Sequence, residues 1–277
     1  MKFLKSLLKL VRKYPIISFF ILTFLISWIP WYTGGSGFLV IGPSIAGLIM
    51  AFLVGGKRGF QNLLKSAIHW KVNITWYAIT LLLPALFCLI AIAINFLLTK
   101  KLPNFTFFKK EWYFAPLLFF LMFIDGPLEE LGWRGFATPK LQQKLSPLLT
   151  GVVIGISWGI WHLPEFLRHG SPQYMMGLGF LPLFTISEIT NSILMLWIFN
   201  KTKGSTLLGG FLFHNSLNFW DNVLLTELTF SGLIKGEALP QPDMRLFILE
   251  GVVATFVAII LLIATKGKLG YNTNEYS

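Results

Sequence analysis

Three short polar clusters interrupt an otherwise apolar chain, and their residue types are those of hydrolytic chemistry. The first runs Asp125-Gly126-Pro127-Leu128-Glu129-Glu130-Leu131-Gly132-Trp133-Arg134-Gly135-Phe136. The second is Trp158-Gly159-Ile160-Trp161-His162-Leu163-Pro164, and the third His214-Asn215-Ser216-Leu217-Asn218. A carboxylate and an imidazole can take a proton from water, and an amide can donate to an oxygen that gains negative charge. Gly126 and Pro127 read as a helix start. At about 100° per residue, Glu130 and Arg134 then share a side and pair, while Glu129 points about a quarter turn away toward another helix. Burial and the positive end of the helix dipole pull on Glu129 in opposite directions, which suits a general base.

His162 ends a run that Pro164 terminates, and Trp158 lies one turn before it, where an indole can hold the imidazole. His214 and Asn218 share a helical face by their four-residue spacing. Glu188 and Asn191, inside a later run, can back the site or serve packing. Each signal has a structural reading as well. Glu129 can cap amides, Glu130–Arg134 can be a structural pair, His162 can be interfacial, and His214 and Asn218 can bond neighbouring helices. Their joint occurrence in one apolar chain carries the functional reading. Asp125 reads as a helix-start residue, Glu165 and His169 as solvated outer-loop residues, and His69 beside Trp70 as interfacial.

The elements that must position these groups follow from composition. Of 277 residues, 55% are hydrophobic, 16% aromatic and only 13% charged, and the mean hydropathy is +0.67. That charge deficit excludes a soluble enzyme, a disordered chain and a disulfide scaffold, and implies a polytopic membrane protein. The net charge of +11 fits basic residues gathered on the cytoplasmic side rather than nucleic-acid binding. Cys88 stands alone, so neither a disulfide framework nor a cysteine metal site arises.

Apolar runs at 16–32, 38–55, 74–98, 112–125, 147–162, 177–199, 205–224 and 246–265 predict an all-α bundle of about eight transmembrane helices. The basic start before Ile16 resembles a signal peptide, but the run after it is too long and lacks a cleavage site, so an uncleaved anchor is expected. With both termini cytoplasmic, sixteen basic residues fall inside and seven outside. The expected domain is single and spans 1–277, with a motif-bearing core at about 112–224 and a short polar tail at 267–277; 56–73 reads as a basic interfacial stretch. This span count separates Glu129, near the inner face, from His162, near the outer face, by about 24 Å of helix. Convergence of the motifs therefore requires the acidic helix to continue as a limb of its own.

Glu-Glu-x-x-x-Arg at 129–134, an aromatic-x-x-x-His at 158–162 and His-x-x-x-Asn at 214–218 resemble the CPBP family, the CAAX-protease and bacteriocin-processing intramembrane endopeptidases, also called the Abi family. LEELGWRGF and WGIWHLP also look like bacterial members, although Trp158 stands where the family usually has Phe. The resemblance implies that Glu129 and His162 activate water, that His214 and Asn218 stabilise the oxyanion, and that Glu130 and Arg134 support the site. It implies a membrane-associated peptide or protein substrate among membrane lipids, in a bacterial plasma membrane. A metal-independent mechanism is favoured, since H-E-x-x-H does not occur and Asn is a poor zinc ligand, while zinc stays open as an alternative with Glu129, His162 and His214 as its ligands. The competing reading is a non-catalytic membrane protein of bacteriocin-immunity or scaffold type. A proton-coupled transporter using Glu129 and Glu188 is disfavoured, because no repeated halves are evident. Oligomeric state is not legible.

Overall fold

The computed structural model describes residues 2–35, 37–124, 126–226, 228–237 and 243–272, and these are helical with no strand among them. Asp125, read above as a helix-start residue, lies outside the described residues. The chain opens with the basic helix α1 (Lys2–Lys13), which turns through 106° into α2 (Pro15–Ser27). The expected first span is therefore shorter than read: α2 has 13 residues, and Ile29–Tyr32 forms a separate turn. Helix α3 (Gly42–Ala67) changes direction at Gly56, whose φ of 59° an L side chain rarely adopts, so its apolar first half and basic second half point differently.

Helix α4 (Ile74–Thr99) starts where Asn73 accepts a hydrogen bond from the Thr75 amide at 2.9 Å. Helix α5 (Ala115–Met122) lies within a longer apolar path from Trp112 to Glu129. The chain continues from Gly126–Glu129 through a π-helical segment, Leu131–Ala137, into Thr138–Gln142. It then reverses, with Ser146 capping the Leu149 amide at 3.3 Å, and returns as α6 (Pro147–Trp161). Helix α7 (Leu181–Lys201) follows, then a polar path made of Leu207–Leu212, α8 (Phe213–Trp220) and Asp221–Leu225, and finally α9 (Met244–Ala264).

Among the described residues, five stretches are long and apolar enough to cross a membrane, six if the bent α1–α2 pair counts as one. The expected eight exceeds this for a physical reason. The run at 205–224 holds His214, Asn215, Ser216, Asn218, Asp221 and Asn222 and is broken by two π-helical segments. It forms a buried polar strut: Asn215 Nδ2 donates to the Phe119 carbonyl at 2.9 Å, and Trp220 Nε1 donates to the Leu81 carbonyl at 2.8 Å. The run at 38–55 is the first half of α3, cut short at the Gly56 bend.

The reversal between Gln142 and Pro147 also removes the 24 Å separation. The limb descending from Glu129 and the ascending α6 are each about 20 Å long, so the start of one lies level with the end of the other. Glu129 and His162 consequently line the same cavity, with Trp133 and Trp161 in edge contact at 6.0 Å between the limbs.

Helix α6 is seated on α7 by three glycines one turn apart. A Cβ on Gly151 would stand 3.0 Å from Ile193 Cγ1, on Gly155 2.7 Å from the Ile189 amide nitrogen, and on Gly159 2.6 Å from Thr185 Oγ1. Small residues at this spacing let two helix backbones approach closely. Gly155→Ala is expected to cost about 1–3 kcal/mol through overpacking, read as a lower melting temperature of the detergent-purified protein. Gly179→Ala, where nothing lies within 4 Å of the added carbon, should melt as the parent does.

Candidate active site

Glu129 and Glu130 are adjacent acids and both are buried, at 1% and 0% exposure. Two carboxylates in such a place need donors on every side. His214 Nδ1 lies near both, 3.5 Å from Glu129 and 2.9 Å from Glu130, and their other partners differ because they point to different sides of the helical limb. Glu129 accepts an indole N–H on each oxygen, from Trp133 at 3.1 Å and Trp158 at 3.0 Å. Trp133 lies one turn along the same limb and Trp158 comes from α6, so Glu129 is gripped where the two limbs meet. Glu130 faces Arg134 Nε at 3.2 Å and His214 Nδ1 at 2.9 Å. Arg134 extends onward to Ser192 Oγ at 3.2 Å and Met195 Sδ at 3.0 Å on α7, and its guanidinium lies 5.1 Å from the Trp158 ring centre. This network ties the acidic limb to α6, α7 and α8.

Trp158 meets His162 through its ring, with centroids 6.2 Å apart, and also through its backbone, which the sequence did not suggest. His162 Nδ1 lies 3.0 Å from the Trp158 carbonyl oxygen, an acceptor, so Nδ1 carries the proton and Nε2 keeps its lone pair. The Trp158 indole N–H is committed to Glu129. One tryptophan thus fixes both the acid, through its ring N–H, and the imidazole tautomer, through its backbone. The ring of His162 is wedged among Phe38, Trp161 and Phe184 at 4.9–5.6 Å between centroids.

His214 and Asn218 project toward Gly126. A Cβ on Gly126, where φ is +36°, would come within 2.9 Å of His214 Nε2 and 2.8 Å of Asn218 Nδ2. The missing side chain leaves the two nitrogens side by side before an open space. Glu129, His162, His214 and Asn218 all line one cavity of about 890 Å³, together with Glu188 and Asn191. Glu130 and Arg134 are not among the residues that line it.

Some residues differ from their expected places. Glu165 is buried, not solvated: it lines the cavity and pairs with Arg168, because Pro164 turns the chain back and Ser171 binds the Glu165 carbonyl. Asp221 and Glu250 also line the cavity and were not singled out from sequence. Glu250 is the sole acid in the apolar run of α9, and an ionisable residue inside a span is itself the signal that could have found it. Asp221 lies three residues after Asn218, on the same side of the helix.

Among the described residues, the group whose ligand atoms lie within 4.8 Å of one another is Glu129, Glu130 and His214, which omits His162. Its donors fit a metal poorly. His214 Nδ1, the nitrogen on that side, is 2.9 Å from Glu130, and Arg134 already neutralises Glu130.

Removing the cation should expose how this network is balanced. Arg134→Leu is expected to destabilise by about 3–5 kcal/mol, because a buried carboxylate is left without its cation. Adding Glu130→Gln should recover part of that loss. Thermal or denaturant melts of the two single variants and the double variant would measure the coupling.

Residues 111–220 match the family model described as type II CAAX prenyl endopeptidase Rce1-like. The chain is also 27% identical over 241 residues to a Methanococcus maripaludis protein named CAAX prenyl protease 2, an alignment covering 76% of this chain and 86% of that relative. The matched region contains all three polar clusters.

Proposed function

On the premise that the chain is a multi-pass membrane protease of the CPBP family of CAAX-type proteases, an assignment both likenesses support, we propose that it hydrolyses a peptide bond of a membrane-associated peptide or protein, with Glu129 and His162 activating water and His214 and Asn218 holding the oxyanion. The observation that carries this reading is that His214 Nε2 and Asn218 Nδ2 both lie within 3 Å of the point a Cβ on Gly126 would occupy, in the same cavity as Glu129 and His162. Two nitrogens side by side are what a tetrahedral oxyanion needs.

In this mechanism Glu129, kept in place by two indole N–H groups, orients a water with its remaining lone pairs. As the water oxygen bonds to the scissile carbonyl carbon, its proton passes to the Glu129–His162 pair. The unprotonated Nε2 of His162 is the natural acceptor, since Nδ1–H is committed to the Trp158 carbonyl. The carbonyl oxygen takes up the negative charge and accepts from Asn218 Nδ2–H. Its second partner is His214 through Nε2, the ring nitrogen opposite the one that meets Glu130 at 2.9 Å. Collapse breaks the C–N bond, and the stored proton leaves with the amine. Glu130 and Arg134 act through His214 and Glu129 and touch no reacting atom.

The reading sets an order of effects for purified protein offered a membrane-peptide library. Glu129→Gln should abolish measurable turnover. Asn218→Ala should lower kcat by about 10²–10³-fold with a smaller effect on KM, as for loss of one oxyanion donor. Equal cleavage by the parent and Glu129→Gln would remove Glu129 from the mechanism. Turnover should also persist after exhaustive treatment with a strong chelator, and its loss with recovery on added Zn²⁺ would replace this mechanism with a metal-dependent one.

A further inference from the structure

Five of the chain's twelve acidic side chains, Glu129, Glu165, Glu188, Asp221 and Glu250, line the one cavity, in a protein whose net charge is +11. Two of them are accounted for: Glu129 by its indole donors and Glu165 by Arg168. The other three have no cation within 4 Å among the described residues. Glu188 and Glu250 are 7% and 8% exposed, and Glu188 Oε2 is buried without a hydrogen-bond partner although its residue lines the cavity. Asp221 accepts only a weak donor, the Cys88 thiol at 3.3 Å. Arg134 attracts Glu188 from a distance, but its Nε faces Glu130 and its Nη2 faces Ser192 and Met195, and among the described residues none of its nitrogens pairs with Glu188 within 4 Å. The hydrolytic mechanism uses none of these three acids.

A buried acidic wall without cations is costly alone and complementary to a positive charge that enters the cavity. The spacing says which kind. Among the described residues the three acids do not form a group with ligand atoms within 4.8 Å of one another, so they do not make a compact metal cage. A charge carried on a flexible stem, an ammonium or guanidinium, suits dispersed carboxylates better. Asp221 lies three residues beyond Asn218, about 4.5 Å along the helix axis. A cation on that wall is within side-chain reach of a residue next to a bond held at Asn218.

We propose that Glu188, Asp221 and Glu250 form a specificity wall that receives a lysine or arginine side chain of the peptide substrate close to the cleaved bond. The inference rests on the endopeptidase reading for where the peptide lies. It is tested on the full chain in detergent with alanine–leucine peptides in which one lysine, or a glutamine in its place, is moved through successive positions. The parent should prefer lysine at one position by about 10- to 100-fold in kcat/KM, the worth of a charged hydrogen bond. Asp221→Asn with Glu250→Gln should flatten that preference while the glutamine peptides are still cleaved. Should the double variant fail to fold, Glu250→Gln alone should reduce the preference. Glu250→Lys should shift selectivity toward glutamate. Fluorescence anisotropy of the labelled peptides on Glu129→Gln reads the wall without hydrolysis. Lysine-selective binding with no cleavage by the parent would overturn the endopeptidase reading and leave the wall standing. Cleavage indifferent to lysine, selectivity that survives neutralisation of Asp221 and Glu250, or no selective binding at all would overturn the wall.

Discussion

Two adjacent carboxylates buried almost completely within a lipid-embedded protein are the constraint that organises this molecule. Neither can be left without donors, and a single helix cannot supply enough of them. Glu130 is answered by Arg134 from its own limb and by His214 from α8; Glu129 is answered by Trp133 from its own limb and Trp158 from α6. The partners of the pair thus come from three segments. Satisfying two charges therefore brings together the elements that carry the other polar motifs, and the electrostatic requirement and the assembly of the cavity are one problem.

Backbone geometry supports this arrangement at several points. The π-helical segment Leu131–Ala137 follows directly after the two acids, and π segments flank α8 on both sides. Such wide turns occur often at functional sites, where they change the direction in which side chains project. Gly126 leaves room before His214 and Asn218, and the glycine face of α6 lets α7 approach until Glu188 and Asn191 reach the cavity. Trp158 combines these roles: its ring N–H, its ring face and its carbonyl engage Glu129, Arg134 and His162 respectively. Phenylalanine at that position would keep the carbonyl and the ring face but lose the N–H to Glu129.

Much of the site was legible because it obeys short-range rules. Glu130 and Arg134 pair at a four-residue spacing, and His214 and Asn218 turn toward the same space for the same reason. What escaped was set by longer-range geometry. The Trp158–His162 hydrogen bond runs through a backbone carbonyl, which every residue possesses and no side-chain type announces. Glu165 was misjudged because the loop bearing it folds back over the cavity. Glu250 sits in one of the most apolar candidate spans, where one acid hardly alters the hydropathy that identified it. The eight apolar runs and the five or six long apolar helices among the described residues differ for a related reason: hydropathy measures avoidance of water, and a polar strut wrapped in other helices avoids water as well as lipid does.

The sequence by itself determined that the chain is an all-α membrane protein, which residues have the chemistry for hydrolysis, and which of them share a helical face, since composition and the 3.6-residue period are local properties. Only the tertiary structure decided that Glu129 and His162 line one cavity, which nitrogen of His162 is free, and that four more acids line the same cavity. Those outcomes depend on a chain reversal between Gln142 and Pro147 and on how closely α6 approaches α7. Both are set by packing among segments far apart in sequence, so no local pattern contains them.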